Sequence, residues 1–310
     1  MKKLILAVAI AAATTAGTTS AATIYEGKGL TYKMKGDWQI QLRQDVGNDQ
    51  ELDVEFDDLE LKNSVTYDLG DNLKAFGQLD FGFKDAAEGK DKYGTKLEEA
   101  YVGLQFGDVA VAIGKQDFAT DEFGVEAAYE MRLDEDGFDA QGTSGDDVIR
   151  VDVEMDNFTF IASTEIEAEG EASEDGRSFD LFAATELSGL ELAAAYQSQE
   201  ASVGAESKDT WGLSAAYDAG FAVLAADYSS VEDTQDQYNL VAVVPVAKTT
   251  KIAIGMANID PEAGDDVNEW YANVTYKFAT QKNVSLFAEI ADTDESGVDV
   301  GYLAGMRIKF

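Results

Sequence analysis

Carboxylates are the commonest reactive groups in this chain. Sixty Asp and Glu stand against 23 Lys and Arg over 310 residues, and there is neither histidine nor cysteine. Without imidazole or thiol, a serine–histidine pair, a cysteine nucleophile and any His/Cys metal centre are impossible. Two carboxylates with unequal pKa values could run acid–base chemistry, but with sixty acids such proximity arises by chance and selects no site. No Gly-rich phosphate loop occurs. The densest acidic run, Glu165 to Asp175, contains six acids, and oxygen ligands suit Ca²⁺ or Mg²⁺. Its acids alternate at 165, 167, 169 and 171 around Gly170, but Gly176 stands where a dedicated calcium loop closes with a bidentate acid, so it reads as a hydrated, self-repelling surface loop. The expectation is no catalysis, no cofactor and no dedicated metal site.

The formal charge of −37 excludes nucleic acid as a partner, because phosphate binding needs a basic surface. It fits a salty medium, where screening shortens self-repulsion, and equally a surface whose field gathers cations.

The elements that must position these charges begin after an export signal. Lys2 and Lys3 precede an apolar run from Leu4 to Ala13, and Thr19-Ser20-Ala21 supplies small residues for cleavage. This predicts a signal peptide over 1–21 and a mature chain over 22–310. Removing Lys2 and Lys3 takes the charge from −37 to −39. No stretch approaches the ~18 apolar residues of a membrane helix. Proline occurs only at 245 and 261, as suits a chain that is mostly paired strand.

Alternation runs the length of the chain. Leu30, Tyr32, Met34, Trp38, Ile40 and Leu42 share one face, and Lys33, Lys35, Asp37, Gln39, Gln41 and Arg43 the other. The same period of two recurs over 59–69 and 73–84. Strands are predicted at 30–43, 53–68, 73–84, 96–106, 109–116, 146–154, 157–167, 176–187, 190–199, 208–217, 220–229, 237–246, 250–259, 267–278, 283–291 and 298–310, sixteen in all. Their connections alternate between tight turns, such as Gly107-Asp108 and Ser188-Gly189, and long polar segments, the longest spanning 117–145.

A soluble β-sandwich would also alternate, but aromatics gather at both ends of the apolar face. Tyr67, Phe106, Phe158, Tyr217, Tyr276 and Phe278 lie toward the short turns; Phe179, Trp211, Tyr238 and Trp270 lie toward the long loops. Two such girdles are what membrane interfaces favour. In hydrocarbon an open strand edge is too costly, so the first and last strands must pair. The fold class expected is therefore all-β: a 16-stranded antiparallel transmembrane β-barrel, wide enough to enclose water.

Several words in the chain resemble the general diffusion porins of Gram-negative outer membranes. They are the start from Ala22 to Gly29, the segment Glu99-Ala100-Tyr101-Val102-Gly103-Leu104-Gln105-Phe106-Gly107 running on to Ala112-Ile113-Gly114-Lys115-Gln116, and the end Gly305-Met306-Arg307-Ile308-Lys309-Phe310. The resemblance implies a homotrimer of barrels exported to the outer membrane, in contact with lipid and lipopolysaccharide, with Phe310 as assembly signal. It implies a third loop, 117–145, folded inward to narrow the pore. Asp121, Glu122 and Glu126 would be the acidic constriction, faced by Lys62, Lys115 and Arg150 on the wall. Asp37 and Asp58 stand where wall bases are expected, which weakens the transverse field and makes the pore more negative. The function implied is passive diffusion of ions and small hydrophilic solutes, with cation preference.

Two rivals remain. A substrate-specific channel for an oligosaccharide or oxyanion would need an aromatic slide, and Phe76, Tyr101, Phe182, Tyr271 and Phe287 are the inward aromatics available. A structural or adhesive barrel would be plugged by its own loops.

Overall fold

The computed structural model describes residues 21–89, 94–131, 136–166 and 176–310. Residues 1–20 of the predicted signal peptide and most of the Glu165–Asp175 run lie outside them. The strands are β1 (Ala22–Gly27), β2 (Leu30–Gln44), β3 (Asp53–Gly70), β4 (Leu73–Gly82), β5 (Lys96–Phe106), β6 (Val109–Asp117), β7 (Ser144–Met155), β8 (Phe158–Glu165) and β9 (Arg177–Leu187). They continue as β10 (Leu190–Glu200), β11 (Lys208–Asp218), β12 (Val223–Val231), β13 (Gln235–Ala247), β14 (Thr250–Pro261), β15 (Val267–Phe278), β16 (Gln281–Thr293) and β17 (Gly301–Lys309). One helical turn, α1 (Lys84–Ala87), lies in the β4–β5 loop.

Each strand from β2 to β17 pairs antiparallel with its sequence neighbours, and β17 pairs with β2 from Lys309↔Asp37 to Tyr302↔Gln44. The sheet thereby closes into a sixteen-strand barrel, which leaves no unpaired edge for a hydrocarbon environment. All sixteen predicted strands are present. The seventeenth, β1, was not expected. It folds back through the left-handed Lys28-Gly29 turn (φ 53° and 77°) onto the same edge of β2 that β17 leaves free, from Ala22↔Met34 to Gly27↔Leu30. Phe310 exchanges backbone hydrogen bonds of 2.8 and 3.0 Å with Gly36, between the two pairings. Its ring meets Trp38 edge-on at 5.2 Å, in space a Gly36 side chain would fill.

Connections alternate as the sequence indicates. Residues 71–72, 107–108, 156–157, 188–189, 248–249 and 279–280 are tight turns. Asp71-Asn72 and Ser188-Gly189 are left-handed at both positions, the twist that suits a hairpin. On the other rim 118–143 is the longest connection, while the link over 232–234 shrinks to three residues because β12 and β13 run on.

The outer face is apolar: Val102, Ile113, Leu213 and Ile254 are all more than half exposed. Alternation puts Gln39, Gln41, Asp80, Asp180, Gln197, Asn239 and Glu289 on the inner face, where all are buried. Bulges break the alternation, two of them among acids of β3 and β5. Trp38↔Leu59 is followed by Ile40↔Phe56, so β3 carries an extra residue at Asp57-Asp58. Asp80↔Glu99 is followed by Phe81↔Leu97, so β5 carries an extra residue at Glu98. Bulges re-aim side chains; here they add carboxylates to the inside.

Candidate functional site

The segment 118–143 lies against inward-facing groups of β8 to β16. Its apolar residues Ala119, Phe123, Val125 and Phe138 form one buried cluster with Ile161, Phe182, Ala195, Val241 and Val243 of the wall. A second cluster joins Met131 and the half-buried Tyr129 to Tyr271, Phe287 and Leu303. Tyr129 stacks on Phe287 with ring centres 4.2 Å apart. Small wall residues such as Ala184, Ala193 and Ala216 let the segment sit close.

Buried backbone polar groups need partners, and the wall supplies them one by one. Ala119 N–H donates to Ser163 Oγ at 2.7 Å, Val125 N–H to Asp227 Oδ2 at 3.1 Å and Gly137 N–H to Ser229 Oγ at 2.9 Å. Ala127 N–H donates to the Tyr271 hydroxyl at 2.8 Å, and its carbonyl accepts from Asn273 at 2.7 Å. Glu289 does the most. Its two oxygens accept from three successive amides, Tyr129 at 2.7 Å and Glu130 and Met131 at 3.2 Å, and also from Asn273 at 2.9 Å. Asp180 accepts from Thr120 Oγ1 at 2.8 Å and from Gln197 at 2.9 Å.

These anchors, Glu289, Asp227 and Asp180, were not among the sequence-predicted site residues. A signal existed: Glu289 is a lone charge at an inward position of an otherwise apolar run, Phe287-Ala288-Glu289-Ile290-Ala291. The inward aromatics also gain a role. Phe182, Tyr271 and Phe287 are covered by the segment, at 1–4 % exposure, so they dock it and offer no slide to a passing solute. Phe76 and Tyr101 form a separate edge-on pair at 6.3 Å.

The opposite side, β2 to β7 with β17, is held by ion pairs. Arg150 reaches from β7 to the segment: it donates to Glu122 Oε1 at 2.8 Å, to the carbonyls of Asp117 and Phe118 at 3.2 and 3.1 Å, and to Asp152 at 3.1 Å. The predicted loop acid Glu122 and wall base Arg150 are therefore brought together. Asp121 accepts from Thr143 Oγ1 at 2.9 Å at the end of a single 3-10 turn, Ala119–Glu122. Its carboxylate faces water but is ringed by protein. That burial, with Glu122 and Asp139 nearby, pushes its pKa up to about 6 against the opposing Thr143 bond. Glu126 is half-buried on the segment between Val125 and Ala127. Glu130 lies where burial and a proton shared with Asp57 raise its pKa to about 9.

Lys62 joins Asp80 and Glu99, each at 2.9 Å. Asp37 is held by Arg307 and Lys309 at 2.7 and 2.8 Å, and Arg307 also pairs with Asp58. Asp37 and Asp58 do line the wall, yet they are matched by bases from β17 that the sequence reading did not assign. Lys115 is a correction. Alternation from Ile113, 58 % exposed on the outer face, and pairing with Ala100 turn Lys115 outward. Its ammonium pairs with Asp146 rather than with the acids of the segment. Arg43, which the sequence reading did not assign, meets Glu55 at 2.9 Å and Glu130 of the segment at 3.4 Å.

Comparison with known proteins agrees with this geometry. The sequence model of the Gram-negative porin family matches residues 7–298. A porin-like protein H of Photobacterium profundum is 27 % identical, with both chains covered over their full length. Among solved structures, a loop-deletion form of the Vibrio cholerae outer membrane protein OmpT superposes with a TM-score of 0.77 at 17 % identity, covering 91 % of this chain and all of that one. An anion-selective porin from Comamonas acidovorans gives 0.75 at 17 % identity over the same shares. Salmonella typhi OmpF in complex with daunomycin gives 0.77 at 17 % identity, over 93 % of this chain and all of that one. At such identities the structures testify to the fold. With a family match over nearly all of its length and a closed sixteen-strand barrel, this chain belongs to the Gram-negative porins of the outer membrane.

Proposed function

We propose that the chain forms a water-filled, cation-preferring channel for passive diffusion of ions and small hydrophilic solutes. The observation that carries the preference is the ratio of partners around each interior base. Arg43 meets Asp45 and Glu55; Lys62 meets Asp80 and Glu99; Arg150 meets Glu122 and Asp152; Arg307 and Lys309 share Asp37, and Arg307 also meets Asp58. The first three bases are each outnumbered and the last two are balanced, so the fixed charge beside the 118–143 segment stays negative after pairing, and a ring of fixed negative charge favours cations. Asp121 and Glu126 on the segment add to it. Likeness to an anion-selective porin does not weigh against this, because selectivity follows side chains and the shared feature is the barrel.

The reading includes assembly as a homotrimer with lipid and lipopolysaccharide around it, since OmpT of Vibrio cholerae, a structural relative, is described in a trimer form. It also includes removal of 1–21 as a signal peptide. The purified mature chain in planar bilayers should give stepwise, ohmic conductance, and liposomes containing it should swell in small sugars more slowly as sugar size rises. Properly folded protein that gives neither conductance nor swelling would make the barrel a plugged one.

A further inference from the structure

On the inner wall of β3, β4 and β5, away from the 118–143 segment's anchors, three carboxylates converge. One oxygen each from Glu60, Asp80 and Glu98 lie within 4.8 Å of one another. Three features build this cluster. Glu60 and Asp80 are inward-facing by alternation. Glu98 is the bulge residue of β5, which lets it share the inner face with its neighbour Glu99. Gly82, opposite Glu60 in the ladder, has no side chain, and a Cβ there would meet Glu98 Oε1 at 2.2 Å; the glycine leaves the berth in which the third carboxylate rests.

Asp80 adds a second observation. It is 2 % exposed, and only its Oδ2 is engaged, by Lys62 at 2.9 Å. Its Oδ1 is buried without a hydrogen-bond partner. An ionised oxygen left so in the interior is costly unless something positive meets it. Lys62 cannot serve both oxygens and Glu99, which it also binds at 2.9 Å. The surroundings deepen the deficit: Asp58 lies on the same side of Glu60, and Lys96 is the other base near Glu98.

We propose that Glu60, Asp80 and Glu98 hold a hard divalent cation, with Ca²⁺ fitting best, on the barrel's inner wall. The donors are all carboxylate oxygens, the set that such ions take. Oxygens up to 4.8 Å apart can flank one ion at the roughly 2.3–2.6 Å of Ca–O bonds. Lys62 is shared with Glu99, so it does not balance the three carboxylates, and a divalent ion that takes all three displaces the hydrogen bond between Glu60 and Glu98. Lumen water completes the coordination shell. The site requires no particular ion selectivity and no conduction, so it stands or falls apart from the channel reading.

The test is calorimetric titration of Ca²⁺ into the folded mature chain in detergent, after chelator treatment and in enough NaCl to suppress diffuse binding to surface acids. One saturable site per chain is expected, with affinity on the order of 10⁻⁴–10⁻³ M, as for exposed calcium modules. Asp80→Asn and Glu98→Gln should each weaken it at least about tenfold (~1.4 kcal/mol). The double variant Asp265→Asn/Asp266→Asn, in a loop on the far side of the barrel, should leave it unchanged. If Asp80→Asn does not fold, Glu98→Gln decides, because Glu98 is only half-buried. Titration of Glu98→Gln indistinguishable from wild type, or equal loss in the loop variant, overturns the assignment.

Discussion

The two sides of the barrel interior hold the same inserted segment by different physics. From β8 to β16 the contact is dry: alanines, valines and three aromatics meet Phe123, Val125, Phe138 and Met131, and single acids such as Glu289 take up the backbone amides. From β2 to β7, with β17, the wall stays polar and meets the segment through Arg150 and Arg43. The difference separates two tasks. A segment packed on one side is fixed in place, and the opposite side carries the ion pairs. On the proposed channel reading, position comes from the packed side and selectivity from the charged side.

That division can be broken from the packed side first. Glu289→Ala removes the acceptor for three loop amides and an asparagine, which by the usual cost of unsatisfied buried groups destabilises the docked segment by about 2–3 kcal/mol. Single-channel records should turn noisy, with open-state conductance fluctuating well beyond wild type. Quiet records would mean that the apolar clusters alone hold the segment. Next in size, Arg150→Ala frees Glu122 and the carbonyls of Asp117 and Phe118; the two charged side chains keep 12 and 19 % exposure, so about 1–2 kcal/mol is expected. Its distinguishing mark is selectivity, since losing a base and releasing Glu122 should raise the cation-to-anion permeability ratio, which Glu289→Ala should leave nearly unchanged.

Arg307→Gln sharpens the charged side further. Asp37 and Asp58 would lose their shared partner, with Lys309 left to Asp37 alone. Cation preference should rise with little change in unfolding temperature, as read by zero-current potentials and by heat-modified gel mobility. The smallest effect expected is with pH. Asp121, pushed up to about 6, is charged above that value and gains a proton below it. Acidification through pH 6 should therefore reduce cation preference by one carboxylate's contribution. The stability sign runs the other way: a carboxyl with its folded pKa above the unfolded one binds its proton more tightly in the folded barrel, so this contribution favours the docked segment as pH falls. Asp121→Asn should diminish both shifts.

The barrel was legible in the residues because its cause is local. Alternation of the kind seen in Leu30–Arg43, and left-handed turns such as Ser188-Gly189, state strand, face and connection within a few positions. The charged side was partly legible: Glu122 and Arg150 were read as charges facing across the pore, and they form a direct ion pair. Lys115 was misplaced because a lysine at the end of a strand can follow either face, and Ile113 two residues earlier fixes the outer one. The β17 bases and Glu289 were missed since their partners, Asp37, Asp58 and the 129–131 amides, lie 158 or more residues away in sequence. Strand β1 escaped because Ala22–Gly27 carries no strong alternation; it forms where β17 stops and leaves half an edge of β2 unpaired.

The central claim is that carboxylates beside the inserted segment outnumber bases after every pair is counted. The zero-current potential of the wild-type channel under a KCl gradient at neutral pH tests it most directly. The account predicts the sign of a potassium-permeable pore, reduced by Asp121→Asn. The sign of a chloride-permeable pore would contradict it.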